Sequence, residues 1–142
     1  MSVIAWDGKI LAADRQGTNM GSICTMTKIK KLDTGEIVAW CGRQSYGLTF
    51  LDWYLNGQDK EKFPEVQHTE DWTCFVIADK NGMRFYEQDY IPIPIIDEFM
   101  AFGAGRDFAI GAMAMGATAI KAVQIANQFC DSCGVGVDWY EV

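Results

Sequence analysis

The chain has 142 residues, enough for one domain with a sizeable core, and its 49% of hydrophobic residues is typical of a globular protein. A formal net charge of −7, with no cluster of Lys or Arg, argues against a nucleic-acid-binding surface. Asp7 interrupts the first apolar run and Lys121 the longest one, which argues against a signal peptide and a membrane span. We therefore expect a single domain over residues 1–142 that binds neither nucleic acid nor membrane.

Two short apolar runs at the start of the chain flank Asp7-Gly8. This dipeptide favours a type I′ hairpin turn, which requires a positive φ at both central positions. Residues 2–6 and 9–14 are therefore predicted to pair, which brings Ser2 beside Asp14. Chain termini normally fray, so a strand that begins at the second residue indicates that this residue has a function.

Turn residues and short apolar runs alternate along the middle of the chain. A polar loop is predicted at 16–21 and an exposed loop at 58–71, and two prolines confine 91–95 to an edge or irregular stretch. Strands are predicted at 22–26, 28–32, 36–41, 72–78, 83–86, 98–102 and 137–142, and an Asn-Gly turn joins the fourth of these to the fifth.

Three stretches have helical spacing. In the first, Leu48, Leu51 and Leu55 share a face and Gly57 is the expected C-cap. Other large apolar residues surround that face, so we expect this helix to pack against both a sheet and a neighbouring subunit. Helices are also predicted at 107–115 and 117–129, the latter with an apolar stripe of Ala119, Ala122, Val123 and Ala126. The mixed order of strands and helices predicts an α+β layered domain.

The cysteines do not predict a metal or redox centre. An odd number of five, without a signal peptide, is typical of reduced thiols in the cytoplasm. Cys130 and Cys133 form one C-x-x-C pair, but the sole histidine, His68, is far away in sequence, which leaves zinc short of ligands. A redox C-x-x-C opens a helix, whereas this pair follows one. We expect no metal and no cofactor.

Ser2 is the first candidate for chemistry. Its small side chain permits removal of Met1, which would give Ser2 a free α-amine. Such an amine, with a pKa of about 8, can accept the proton of the attacking hydroxyl on the same residue. The first two residues alone do not distinguish this arrangement from an ordinary chain start.

The order and spacing of several blocks resemble the proteasome β-type family of N-terminal-nucleophile (Ntn) hydrolases. These blocks are Ile4–Asp14, Thr27–Leu32, Cys41-Gly42, Phe102–Ala112, Asp131–Gly134 and Val137-Asp138. The short members carried by bacteriophages and prophages are most similar, and the peptidase subunit of a bacterial ATP-dependent protease is more distant. The resemblance implies a four-layer αββα sandwich, in which two antiparallel sheets lie between the first helix and the two C-terminal helices.

The resemblance also implies catalytic roles. Ser2 matches the N-terminal nucleophile, Asp14 and Lys28 match the charged pair that tunes it, and the N–H of Gly42 matches the oxyanion donor. A cation near the nucleophile favours the neutral amine and the ionised hydroxyl, and Asp14 would keep Lys28 charged and oriented. From the residues alone, a surface salt bridge worth under about 1 kcal/mol is the better interpretation of Asp14 and Lys28. Gly42 can be a simple strand-to-helix turn, which does not exclude the oxyanion role.

Further positions match with less regularity. Asp131 and Ser132 fit the C-terminal support of the nucleophile only after a one-residue slip, and Cys133 is an alternative to them. Thr18 matches a position that binds extended substrate backbone. Trp40 matches the floor of the pocket for the residue before the scissile bond, which would make that pocket shallow, and core packing is the alternative.

The sequence therefore predicts a cytoplasmic Ntn hydrolase that cleaves peptide or protein substrates within a homo-oligomeric ring. The chain has no P-loop, so any ATPase would be a separate protein. Two features depart from the family: Ala104 replaces a turn serine, and the nucleophile is Ser where Thr is usual. One alternative is a catalytically inactive subunit with an assembly or binding role, and another is an amidase of small molecules.

Overall fold

The computed structural model describes residues 2–65 and 73–142. The predictions on Met1, on His68, on 66–71 of the exposed loop and on the first residue of the 72–78 strand lie outside these residues. The strands are β1 (Ile4–Trp6), β2 (Ile10–Asp14), β3 (Gln16–Asn19), β4 (Ser22–Thr25), β5 (Ile29–Lys31), β6 (Ile37–Cys41), β7 (Cys74–Asp79), β8 (Gly82–Tyr86), β9 (Ile93–Ile95), β10 (Met100–Phe102) and β11 (Val137–Glu141). The α-helices are α1 (Gln44–Leu55), α2 (Arg106–Ala114) and α3 (Ala119–Phe129), and a short 3₁₀ turn covers Lys60–Lys62.

Two antiparallel sheets face each other at the centre of the domain. One has the strand order β10-β1-β2-β11 and the other the order β5-β6-β7-β8-β9. Buried side chains from both sheets form the layer between them, with Leu11 from the first sheet and Val76 from the second among them. Helices α2 and α3 cover the outer face of the first sheet, and α1 covers the outer face of the second. The predicted four-layer αββα sandwich is confirmed.

Period-two alternation explains how single strands serve two layers. In β1, Ile4 packs into the layer between the sheets, whereas Ala5 packs against the α2 and α3 side. In β6, Cys41 joins the layer between the sheets and Trp40 joins the α1 side. Strands that are buried on both faces lack polar positions, which is why β6 is apolar throughout.

The first hairpin is confirmed, but its turn is not type I′. β1 and β2 pair as predicted, with Ile4 opposite Ala13 and Trp6 opposite Leu11, and Gly8 has a φ of +93°, whereas Asp7 is not among the residues with positive φ. The Asp7 carboxylate instead accepts hydrogen bonds from the N–H groups of Lys9 and Ile10 at 3.0 and 2.8 Å. The last paired residues are Trp6 and Leu11, so the turn is longer than two residues, and the N–H of Asp7 also donates to the Ile10 carbonyl at 3.2 Å.

The predicted loop at 16–21 is wrong. β3 and β4 form a separate two-stranded hairpin, and Met20 and Gly21 at its tip have φ values of +51° and +85°. Positive φ at both central positions is what a two-residue hairpin turn requires. β4 agrees with the strand predicted at 22–26. β3 was missed because its side chains are polar or absent, and because Met is an unusual residue at positive φ.

Helix α1 packs on its sheet with a wide apolar face that includes Leu51 but not the other two leucines of the predicted stripe. Its buried residues include Phe50, Trp53 and Tyr54, whereas Leu48 and Leu55 are about half exposed. The prediction of sheet packing is confirmed, and the contact with a neighbouring subunit stays a prediction. The stripe of α3 is confirmed, since each of its four apolar residues is buried. Residues 93–95 form an edge strand, as the prolines predicted.

Candidate active site

A buried ion pair lies at the centre of the candidate site. Asp14 ends β2 in the first sheet, and Lys28 immediately precedes β5 in the second sheet. The Lys28 Nζ lies 2.8 Å from Asp14 Oδ1, and the two side chains are 5% and 0% exposed. The alternative of a surface salt bridge is therefore wrong. A buried pair is stable only where further hydrogen bonds offset the loss of hydration.

Backbone donors from three places supply those hydrogen bonds to Asp14. The N–H of Val3 donates to Oδ1 at 3.1 Å, and the N–H groups of Gln16 and Gly134 each donate to Oδ2 at 3.2 Å. Hydrogen bonds to an ionised carboxylate are stronger than neutral ones and favour its charged form. With Lys28, they give the carboxylate four donors. Sequence reasoning missed Gln16 and Gly134, because a backbone N–H has no side-chain signature.

Ser2 lies beside this pair with its backbone held in place. Oδ1 of Asp14 accepts both Lys28 Nζ and the N–H of Val3, so the ammonium lies next to the peptide that joins Ser2 to Val3. Ser2 itself is 1% exposed. Its carbonyl oxygen accepts a hydrogen bond of 3.1 Å from the N–H of Gly105. The structure thus brings Ser2, Asp14 and Lys28 together, as the resemblance implied.

Gly103 makes that contact with Ser2 possible. A Cβ at this position would lie 2.2 Å from the Ser2 carbonyl oxygen, and the φ of Gly103 is +94°. Both the close approach and the positive φ require glycine. Ala104, between Gly103 and Gly105, is the residue that departs from the family pattern. The turn lacks the serine hydroxyl of the family, but it keeps both glycines: Gly103 packs against the Ser2 carbonyl and Gly105 against the Cys133 sulfur.

Gly42 follows the last residue of β6, and it lies two residues after Trp40, whose N–H is hydrogen-bonded to the Lys28 backbone. The N–H of Trp40 donates to the Lys28 carbonyl at 3.0 Å, which fixes the end of β6 beside Lys28. Gly42 then turns the chain towards α1 with a φ of +102°. A hydrogen bond from Cys74 lowers the pKa of the Cys41 thiol against the effect of burial, and the charge of Lys28 lowers it further. The position of Gly42 at this end of the sheet is compatible with its predicted role.

Trp40 packs between the second sheet and α1. Its ring lies nearly parallel to that of Phe75, with 6.3 Å between centroids, and it contacts the helix backbone at Gly47. The indole N–H donates to Gln44 Oε1 at 3.0 Å, and Gln44 Nε2 donates to the carbonyl of Thr27 at 2.9 Å. Trp40 therefore contributes to the core, and its side chain also reaches the residue next to Lys28 through Gln44. Its pocket role stays a prediction.

Thr18 lies in β3 of the two-stranded hairpin, which begins at Gln16. Thr18 itself is exposed, as a residue that binds substrate backbone would have to be. The hairpin is joined to the site because its first residue, Gln16, donates its N–H to Asp14. The role of Thr18 in binding stays a prediction.

Asp131 and Ser132 reach the site through the same glutamine. Ser132 Oγ donates to Asp131 Oδ1 at 3.3 Å, and the Asp131 carbonyl accepts from Gln16 Nε2 at 3.1 Å. Asp131 is exposed, whereas the next cysteine, Cys133, is buried. Burial raises the pKa of the Cys133 thiol, and the negative charge of Asp14 raises it further. The roles predicted for this turn remain predictions.

The described residues show neither a metal centre nor a membrane-spanning element. Across 2–65 and 73–142, no three of the His, Cys, Asp and Glu side chains are grouped so that they could hold a metal ion. Within the same ranges, none of the helices has the length and hydropathy that a membrane crossing requires.

Comparisons with known proteins identify the fold. No protein-family model matches the chain, and no curated protein sequence matches it. Among solved structures, the chain is similar to BPH from Thiobacillus denitrificans in complex with epoxomicin, with a TM-score of 0.76 and 18% identity over 100% of this chain and 98% of that one. It is similar to eukaryotic HslV from Trypanosoma brucei, with a TM-score of 0.70 and 14% identity over 99% and 97% of the two chains.

A third similar structure is a Gly-1 mutant of Anbu from Hyphomicrobium sp. strain MC1, with a TM-score of 0.73 and 11% identity over 100% of this chain and 82% of that one. These solved structures are proteasome-like Ntn-hydrolase proteins. The chain therefore has the proteasome β-type Ntn-hydrolase fold over its whole length.

Proposed function

We propose that this chain is an Ntn peptidase in which Ser2, exposed by removal of Met1, attacks the carbonyl carbon of a peptide bond. The observation that carries this proposal is the buried Asp14–Lys28 pair, whose shared oxygen also binds the peptide after Ser2. Burying two charges is costly, and charged groups buried beside a candidate nucleophile are typical of active sites. A cation at this point would lower the free energy of the ionised Ser2 hydroxyl.

The proposed reaction proceeds through an acyl-enzyme ester. The α-amine of Ser2 takes the hydroxyl proton as Oγ attacks, and the tetrahedral intermediate carries its negative charge towards the N–H of Gly42. The C–N bond then breaks, and the leaving amine receives the proton from the α-ammonium. Water attacks the ester with the α-amine again acting as base, which releases the acid and restores Ser2. A well-placed oxyanion donor contributes roughly 3–4 kcal/mol to such a step.

The proposal extends to substrate and assembly. The similar BPH structure contains epoxomicin, and we propose that this chain likewise accepts a peptide, bound along the exposed β3 strand at Thr18 with Trp40 limiting the pocket. We propose a homo-oligomeric ring in the cytoplasm, with a neighbouring subunit covering the half-exposed Leu48 and Leu55 of α1. An ATPase partner would be a separate protein.

A non-catalytic subunit is the second candidate. Its support is that Asp14 has four donors, so the ion pair is also explained as a structural joint between the two sheets. The alanine at position 104, where the family has Ser, is compatible with that function. In this case the fold would supply only an assembly or binding surface.

Intact mass spectrometry separates the two candidates. The purified protein is measured before and after incubation with a peptide epoxyketone, which requires both a hydroxyl and a free α-amine on one residue. We expect loss of Met1 and one covalent adduct. Ser2→Ala should give no adduct, whereas Ser45→Ala, at an exposed serine of α1, should react like the wild type. Retained Met1 with no adduct would reject the peptidase and support the non-catalytic subunit.

A further inference from the structure

Two cysteines lie directly opposite each other beside the candidate active site. Cys41 ends β6, Cys74 begins β7, and the antiparallel register pairs them. Both are free thiols, and both are buried in the layer between the sheets. Residues directly opposite in antiparallel strands have Cα atoms roughly 4.5–5.5 Å apart, and disulfides span roughly 4.4–6.8 Å. The two strands therefore already hold these cysteines at a distance that a disulfide can bridge.

We propose that Cys41 and Cys74 form a reversible disulfide that lowers the turnover of the site by displacing Gly42. This inference rests on the proposed function, because it assigns Gly42 the role of oxyanion donor. The oxidant is a hydroperoxide and the reductant a dithiol.

The chemistry begins at Cys41. The hydrogen bond from Cys74 and the charge of Lys28 favour the Cys41 thiolate, whereas the pKa of the Cys74 thiol is raised, mainly by its hydrogen bond with Cys41. The thiolate attacks the peroxide oxygen, which gives a sulfenic acid and, after protonation, one water. The sulfur of Cys74 then attacks the sulfenic sulfur, its proton leaves with the hydroxyl as a second water, and the S–S bond forms. Two thiols are oxidised and one hydrogen peroxide is reduced to two waters.

The consequence for the site follows from the position of Gly42. A disulfide fixes the relative orientation of the two side chains as well as their separation, so the end of β6 must adjust to the bridge although the spacing of the strands already suits it. Gly42 is the next residue, and it already has a φ of +102°. A displacement of about 1 Å at a reacting group costs on the order of 100-fold in rate. We expect oxidation to reduce the rate by roughly 10- to 100-fold, and dithiothreitol to restore it.

Cys130 and Cys133 are the other pair of cysteines that could form a disulfide. Its inner thiol, Cys133, has a pKa raised by burial and then by Asp14, which disfavours the reactive thiolate. Trypsin distinguishes the two pairs directly. Cleavage after Lys and Arg places Cys41 in residues 32–43 and Cys74 in residues 63–80, whereas Cys130 and Cys133 share residues 122–142.

The first part of the test is a disulfide map. The full-length protein is treated with hydrogen peroxide, alkylated under denaturing conditions, and digested without reduction. We expect a cross-link between peptides 32–43 and 63–80 that disappears after dithiothreitol. A bridge confined to 122–142, or no cross-link at all, would overturn the proposal.

The second part measures the rate of epoxyketone adduct formation on reduced and oxidised protein. Cys74→Ser and Cys74→Val should each keep the rate of the reduced wild type and lose the response to peroxide. Two variants are used so that the test still stands if one of them folds poorly. Cys24→Ser, on β4, should respond like the wild type. A cross-link without a change in rate would overturn the regulatory role. If reduced wild-type protein forms no adduct, the peptidase proposal and turnover control fail together, while the map still decides the disulfide.

Discussion

Asp14→Asn is the sharpest test of the buried ion pair. In the wild type, Oδ1 receives Lys28 Nζ and the N–H of Val3, and Oδ2 receives the N–H groups of Gln16 and Gly134. An asparagine replaces one of these oxygens by an NH₂ group. In either orientation of the amide, two donors then face a donor, so two hydrogen bonds are lost whichever way the side chain turns.

The expected loss of stability is large for a change of one atom. Each hydrogen bond to a charged group contributes roughly 1.5–3 kcal/mol, and Asp14→Asn also leaves the Lys28 charge without its carboxylate. Because these effects overlap, we expect a loss of about 4 kcal/mol, within the range of about 3–5 kcal/mol for breaking a buried pair. For a domain of this length, 1 kcal/mol corresponds to about 3 °C, so Tm should fall by about 12 °C.

Lys28→Met should lower the free energy of unfolding by less than Asp14→Asn does, about 2–3 kcal/mol, because Asp14 keeps its three backbone donors. Urea unfolding followed by circular dichroism measures both variants. Lys30→Met, at an exposed lysine of β5, is the matched control and should change stability by less than about 0.5 kcal/mol. A loss under about 1 kcal/mol for Asp14→Asn, as for an exposed pair, or a larger loss for Lys28→Met, would refute the reasoning.

Two further predictions concern the glycine turn and alkaline stability. Gly103→Ala should lower the free energy of unfolding by more than about 3 kcal/mol, because its Cβ would lie 2.2 Å from the Ser2 carbonyl oxygen. Gly35→Ala is the control, with a similar φ of +92° but open space around it, and it should lower that free energy by about 1 kcal/mol. Equal losses in urea unfolding would contradict this. Burial and then the hydrogen bond to Glu36 raise the pKa of Tyr54 from 10.0 to about 12. Since the unfolded chain ionises first, this contribution to stability is complete below pH 10 and is lost as the pH rises through about 12. The stability difference between wild type and Tyr54→Phe should therefore narrow across this range, and a constant difference in pH-dependent unfolding would contradict the assignment.

Much of the fold is encoded in local patterns. Asp7-Gly8 between apolar runs predicted the first hairpin, and the spacing of Ala119, Ala122, Val123 and Ala126 predicted the buried face of α3. Such patterns report which face of an element is apolar, because helices and strands have fixed periods. They failed at β3, whose polar residues carry no such signal, and on α1, where apolar residues surround the helix and several faces compete for burial.

The candidate site also has features that the sequence predicted and features that only the folded chain shows. The sequence by itself determined an α+β order of elements and the hairpin that brings Ser2 beside Asp14. Its resemblance to the proteasome β-type family implied the αββα sandwich and the roles of Asp14, Lys28 and Gly42. Only the tertiary structure decided that the Asp14–Lys28 pair is buried, because burial depends on both sheets at once. It also decided that Gly134, 120 residues from Asp14, binds that carboxylate. Every residue except proline has a backbone N–H, so only the folded chain determines which of these donors reaches a buried charge.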